Sequence, residues 1–118
     1  NTTFPHWFND VFPRFNDAVD RLPFDQHALV GLVAPRPVLF LAAEEDSWAN
    51  PAGQFEVLKA AGPVYRLFGA TGVGVEKMPG VNELAGVSLG YRIRRGPHYI
   101  GPKDWTDAIS FASARLNG

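Results

Sequence analysis

Six consecutive apolar residues, Val38-Leu39-Phe40-Leu41-Ala42-Ala43, do most to limit what this chain can fold into. The run has the length of a strand, and without polar alternation it must be covered on both faces. Pro35 and Pro37 stop whatever precedes it, and Pro51 fits the first turn of a helix running to about Ala61. A two-face strand set between helical segments belongs in a parallel sheet with helices packed on it.

The flanking sequence extends this pattern. Asp25 reads as the N-cap of a short apolar helix, Gln26 to Val33. Gly62-Pro63 reads as a helix break, and Val64-Tyr65-Arg66-Leu67-Phe68 as a second strand. Residues 69–90 form a Gly-rich loop without periodicity. Tyr91-Arg92-Ile93-Arg94 then alternates like a strand near a sheet edge. A helix from about Pro102 to Leu116 follows, with Trp105, Ile109, Phe111, Ala112 and Leu116 giving a mostly apolar face. The expected order is helix, strand, helix, strand, loop, strand, helix. Three strands make a thin sheet whose inner edge lies open without neighbours, so residues 25–118 read as half of a doubly wound α/β domain. Residues 1–24, dense in aromatics and broken by Pro5, Pro13 and Pro23, read as an irregular segment that needs a large surface to pack on.

Bulk composition removes several classes. A length of 118 residues allows one domain at most. A hydrophobic fraction of 46% marks a globular rather than a disordered chain. A net charge of -1 gives no electrostatic reason to expect nucleic acid or anionic lipid as a partner, and Arg92, Arg94 and Arg95 are too few and too local to change that. With no cysteine there is no disulfide, thiolate metal site or cysteine nucleophile. No apolar run reaches membrane-spanning length, and Asn1-Thr2-Thr3-Phe4-Pro5 is no signal peptide. Without an initiator methionine, the natural N-terminus is expected to lie further upstream.

Two loop residues carry the chemical interest. Asp46 follows the strand Val38–Ala43, and His98 follows the strand Tyr91–Arg94. Ligands gather beyond the carboxyl ends of strands in an open α/β sheet. An acid followed by a histidine, each on a strand-end loop, is the order in which α/β-hydrolases present the last two members of a Ser–acid–His triad. A carboxylate there can hold His Nδ1 and stabilise the imidazolium, and Gly96-Pro97-His98 would project the ring from a rigid bend. Taken singly, Asp46 reads equally well as part of a solvated acidic turn, with Glu44 and Glu45 beside it, and a lone loop histidine as a surface residue. Trp48 fits either a platform for a sugar ring or simple packing of the loop. His27, inside the first helix, reads as structural, and His6 carries no assignment. The three histidines show no recognised metal-ligand spacing, and a Ser–acid–His mechanism would need neither metal nor cofactor.

Two motif matches lack their required context. Gly86-Val87-Ser88-Leu89-Gly90 has the nucleophile pattern, but a loop precedes it, a strand follows it, and it comes after the acid rather than before. Gly69-Ala70-Thr71-Gly72-Val73-Gly74 imitates a dinucleotide turn with its third glycine one position early.

From Leu22-Pro23-Phe24-Asp25-Gln26-His27 and Ala34-Pro35-Arg36-Pro37 onward, the chain resembles the glucuronoyl esterase family of carbohydrate esterases. The likeness runs through Glu45-Asp46-Ser47-Trp48-Ala49-Asn50-Pro51, Gly62-Pro63-Val64-Tyr65, Gly90-Tyr91-Arg92-Ile93-Arg94, Gly96-Pro97-His98 and Asp104-Trp105, with Phe4-Pro5-His6-Trp7-Phe8 ahead of it. The resemblance implies an α/β-hydrolase that cleaves glucuronate esters joining xylan to lignin alcohols. It implies His98 as catalytic base, Asp46 as the acid used by many bacterial members, and Trp48 as a contact to the uronic acid. It also implies secretion or a periplasmic location. The family's serine, its oxyanion-stabilising arginine and further sugar-binding residues lie upstream and have no counterpart in these residues. In some members the triad acid sits on an earlier strand.

The chain is therefore expected to be the C-terminal part of such an esterase, catalytically inactive by itself. Its expected partners are the ester substrate in the intact enzyme and the missing N-terminal half, or a second copy across the open sheet edge. The other reading is a non-catalytic α/β binding or self-associating module derived from a hydrolase.

Overall fold

The computed structural model describes residues 2–116. Strand β1 (Val38–Ala43) is the apolar run, and β3 (Leu89–Arg94) pairs with it in parallel, in register from Val38 opposite Leu89 to Ala43 opposite Arg94. A two-residue strand, β2 (Leu84–Ala85), adds to β3 in antiparallel fashion, giving the sheet order β1-β3-β2. Residues 64–68, expected as a strand, are not one. Residues 64–67 belong to helix α2 (Pro51–Leu67), which carries Pro63 in its interior, and Phe68 is its C-cap.

An interior proline costs a helix about 3 kcal/mol. Here the helix continues because its far side is anchored in the core. Phe55, Leu58, Ala61, Gly62 and Tyr65 are all buried on it. Each large apolar side chain so buried contributes roughly 1.5–3 kcal/mol. The Tyr65 hydroxyl also donates to the Arg36 carbonyl at 2.8 Å, tying the last turn to the segment that enters β1. At the other end, Asn50 caps the helix by accepting from the Gly53 N–H, with Pro51 in the first turn as its fixed φ favours. Helix α1 is shorter than expected, Gln26–Gly31, and begins where Asp25 accepts from the Gln26 N–H at 2.6 Å.

The parity of the strands distributes the layers. Leu89, Tyr91 and Ile93 of β3 and Ala42 of β1 join Val30 of α1 and the buried face of α2 in one apolar cluster. The opposite sheet face meets α3 (Pro102–Leu116), where Phe111 is buried and Trp105 and Ile109 stay exposed. The expected apolar face of α3 is thus only partly used against this sheet.

Strand β3, expected near an edge, lies between β1 and β2 and is buried at every position. Its alternating arginines do not reach solvent. Arg92 pairs with Asp104 at 3.0 Å and with Asp107, and Arg94 pairs with Asp104 at 3.1 Å, all beneath α3. On the other face, the Tyr91 hydroxyl donates to the Pro51 carbonyl at 2.8 Å, and burial pushes its pKa up to about 12.

The edge of β1 opposite β3 is unpaired among the described residues. Residues 2–24 form three short 3-10 turns, Pro5–Trp7, Phe12–Phe15 and Val19–Arg21, none with a buried residue. No helix among the described residues is long and apolar enough to cross a membrane.

Candidate active site

The parallel ladder does not stop at the strand ends. The Glu44 N–H donates to the Arg94 carbonyl at 2.9 Å, and the Glu45 N–H to the Gly96 carbonyl at 3.2 Å. The two loops are thereby held side by side for one more step. Among the three adjacent acids, Glu44 and Glu45 are exposed, with Glu44 directed toward Arg95 at 3.8 Å. Asp46 is the one turned inward. Its Oδ2 lies 2.5 Å from His98 Nδ1, and its Oδ1 accepts from the Ala49 N–H at 3.3 Å.

One oxygen of Asp46 therefore pins the 3-10 turn Ser47–Ala49 while the other engages the imidazole. The hydrogen bond from His98 holds the Asp46 carboxyl below the usual range. Desolvation opposes this, while the Ala49 N–H and the charges of His98 and Arg94 add to the lowering. A carboxylate has only acceptor sites, so Nδ1 carries the hydrogen and donates. Nε2 is then the ring nitrogen left to take up a proton, on a side chain that is 85% exposed.

Gly96 sits at φ 101°, a backbone conformation open to glycine and strained for other residues, and it makes the bend that brings His98 over Asp46. The pair shares a cavity of about 260 Å³ whose lining includes Leu41, Ala42, Asp46, Arg94, His98 and Ile100. That is below the ~300–1,000 Å³ common for small-molecule sites.

Trp48, 74% exposed on the same turn, leans on Phe4 (centroids 5.4 Å apart) and Trp7 (6.5 Å), and Phe4 stacks on Trp7 at 4.6 Å. His6 makes only edge contacts in this cluster. No serine or threonine hydroxyl among the described residues bonds His98, and no three His, Asp or Glu side chains among them group as a metal site would require.

The two motif imitations resolve as structural turns. Gly86 and Ser88 lie in the turn between β2 and β3, at the amino end of β3 and hence at the opposite end of the sheet from His98. Six strand residues separate those ends by roughly 20 Å at the usual rise. The Gly69–Gly74 stretch leaves the end of α2 rather than a strand, and its Thr71 carbonyl accepts from the Ser88 N–H.

Sequence reasoning overlooked Arg94 and Asp104 as neighbours of the site. The available signal was an Arg-x-Arg strand followed by a helix opening with Asp-x-x-Asp, residues 92–94 and 104–107.

The sequence model of the family described as "Glucuronyl esterase, fungi" matches residues 2–69, more than half of the chain. The chain belongs to the glucuronyl esterase family. Carbohydrate esterase MZ0003, from an unknown prokaryotic organism, is 45% identical over 118 residues, covering 100% of this chain and 27% of that protein. Among solved structures, a promiscuous CE15 esterase from a marine bacterial metagenome superposes with a TM-score of 0.93 at 45% identity, covering 98% of this chain and 29% of the other. A glucuronoyl esterase from Solibacter usitatus gives 0.90 at 41% identity, covering 97% and 29%. This glucuronyl esterase chain thus spans less than a third of the length of these relatives. The expected fold class, a C-terminal part of an α/β-hydrolase, holds, with the strand assignments corrected as described above.

Proposed function

We propose that this chain supplies the general base and its orienting acid to a serine carboxylic-ester hydrolase acting on glucuronate esters. The single observation that carries this reading is the 2.5 Å contact between His98 Nδ1 and Asp46 Oδ2 across the carboxyl ends of two parallel strands. A serine hydroxyl and an oxyanion hole come from sequence outside these 118 residues. His98 Nε2 takes the serine proton as the oxygen attacks the ester carbonyl, and Asp46 stabilises the imidazolium through Nδ1. The same proton then passes to the departing alcohol, and water, deprotonated by His98, releases the uronic acid from the acyl-enzyme. No step calls for a metal or cofactor.

The exposed Trp48 offers an apolar face beside this centre, suited to stacking on the uronic acid ring. The free edge of β1 is where the nucleophile-bearing part of the sheet would attach. Without that part, a second copy of the chain is its natural cover.

The test is hydrolysis of a glucuronate methyl ester by the chain alone and by the chain mixed with a polypeptide carrying the rest of the fold. Base and acid without a nucleophile have little to act on. The expected result is turnover only in the mixture, abolished by His98→Ala. Turnover by the chain alone that survives His98→Ala would overturn the assignment.

A further inference from the structure

The segment that presents His98 is poorly held by its own backbone. From Pro97 to Ile100 it makes no backbone–backbone hydrogen bond among the described residues, and residues 97–100 are all exposed. Apart from the His98–Asp46 contact, what holds it is one side chain. The Arg94 Nη1 donates to the Arg95 carbonyl at 2.9 Å, and Nη2 donates to the Pro97 carbonyl at 2.7 Å and to the Tyr99 carbonyl. Those last two carbonyls flank His98 on either side. The guanidinium also lies 3.9 Å from the centre of the Tyr99 ring.

The clamp is itself anchored. Arg94 Nε donates to Asp104 Oδ2 at 3.1 Å. Asp104 is buried, and it also accepts from Arg92 Nη1 at 3.0 Å and from the Gly101 N–H at 2.8 Å. All three guanidinium nitrogens are thus engaged on a side chain that is 8% exposed.

We propose that Arg94 is a positioning residue for the esterase chemistry: it fixes the backbone on both sides of His98 so that Nδ1 stands against Asp46. It touches neither substrate nor reacting atoms in this role. The inference rests on the reading of His98 and Asp46 as base and orienting acid. Arg92 provides the contrast, because it shares Asp104 and pairs with Asp107 but donates to no carbonyl of the loop. A merely structural arginine would behave like Arg92. Lysine cannot replace Arg94, since a single ammonium lacks the planar fork that reaches the Asp104 carboxylate and the loop carbonyls together.

The experiment reads the His98 ring by nitrogen-15 NMR in the whole chain. Asp46 as acceptor enforces the Nδ1-protonated tautomer of the neutral ring. Arg94→Lys is expected to lose that tautomer in favour of the Nε2-protonated form while preserving charge and fold. Arg92→Lys is expected to lower stability and leave the tautomer unchanged. An Arg94→Lys protein that folds and keeps the wild-type tautomer would overturn the proposal. If Arg94→Lys does not fold, the unmodified chain decides: scalar couplings through the hydrogen bonds from Arg94 Nη to the Pro97 and Tyr99 carbonyls support the clamp, and their absence sinks it. Asp46→Asn separates the two readings. A tautomer unmoved by Asp46→Asn counts against the base–acid pair itself, whereas one moved by Asp46→Asn but not by Arg94→Lys removes only the role of Arg94.

Discussion

Ala43 and Arg94 face each other as the last register pair of the parallel ladder, and that alignment decides which acid reaches the histidine. Beyond it the two loops stay bonded through Glu44 and Glu45, whose backbones carry the ladder on while their side chains stand in solvent. Asp46 is the first residue free of that constraint. It turns back, its N–H donating to the Ala43 carbonyl at 3.1 Å, and its carboxylate meets the ring arriving from the neighbouring strand. A shift of one residue in either strand would turn its side chains to the opposite face and separate the acid from the ring.

The Asp46 contact makes stability depend on acid pH. Chiefly because His98 bonds it, the Asp46 carboxyl titrates below its usual value of 3.8. Its folded pKa is depressed, so in the interval between folded and unfolded values the unfolded chain binds more protons. Stability then rises with pH across that interval. The contribution is fully present above about 4 and is lost as the pH falls through the folded value. Urea midpoints measured between neutral pH and pH 3 are expected to fall on acidification in the wild type and to fall less steeply in Asp46→Asn. Parallel curves for the two proteins would contradict the pairing.

Helix α2 gives a sharper test of the fold. Leu58 is completely buried against the sheet, whereas Leu67 at the end of the same helix is 84% exposed. Leu58→Ala is expected to cost about 2–5 kcal/mol, and Leu67→Ala to stay within about 0.5 kcal/mol. Were residues 64–68 a two-face strand, Leu67 would be the sensitive position. Denaturant unfolding of both variants distinguishes the two arrangements.

Much of this architecture was legible because single residues carry it. Six apolar residues in a row announced β1, Asp25 and Pro51 marked two helix starts, and the placement of Asp46 and His98 after strands implied proximity once those strands were taken as parallel neighbours. The failures share a cause. Val64–Phe68, apolar except for Arg66, fits a strand or a helical turn equally well, and only the core contacts of Leu58 and Tyr65 decide. Arg92 and Arg94 imitated a solvent-facing alternation because their partners, Asp104 and Asp107, become visible only after α3 is laid over the sheet. With two residues, β2 lies below any periodic signal.

The Gly86–Gly90 motif should respond as a turn rather than as a nucleophile elbow. Gly86 has φ 94°, and a Cβ there would stand 1.9 Å from the Leu89 carbonyl oxygen. Gly86→Ala is expected to destabilise by about 1–3 kcal/mol or more through backbone strain. The Ser88 side chain makes no hydrogen bond among the described residues. Ser88→Ala should therefore leave thermal stability and the ester hydrolysis of the assembled enzyme unchanged. Loss of hydrolysis in folded Ser88→Ala would restore Ser88 as the nucleophile.

The unpaired edge of β1 predicts association whenever the rest of the sheet is absent. Edge strands left open and apolar recruit other chains. Here the edge borders a groove of about 600 Å³ between α1, β1 and α2, whose rim includes Leu29 at 52% exposure and Val33 at 36%. Sedimentation equilibrium of the isolated chain is expected to give a mass above 12.9 kDa that rises with concentration. Leu29→Lys should return it toward the monomer, because a charge on the rim would have to be desolvated on contact. Adding the polypeptide that carries the nucleophile should compete for the same edge and dissolve the self-associated form. A chain that stays monomeric at every concentration would show that α1 and α2 shield β1 well enough by themselves. Self-association that persists in the reconstituted enzyme would place the contact elsewhere, with the exposed Trp105–Ile109 face of α3 as the surface to examine next.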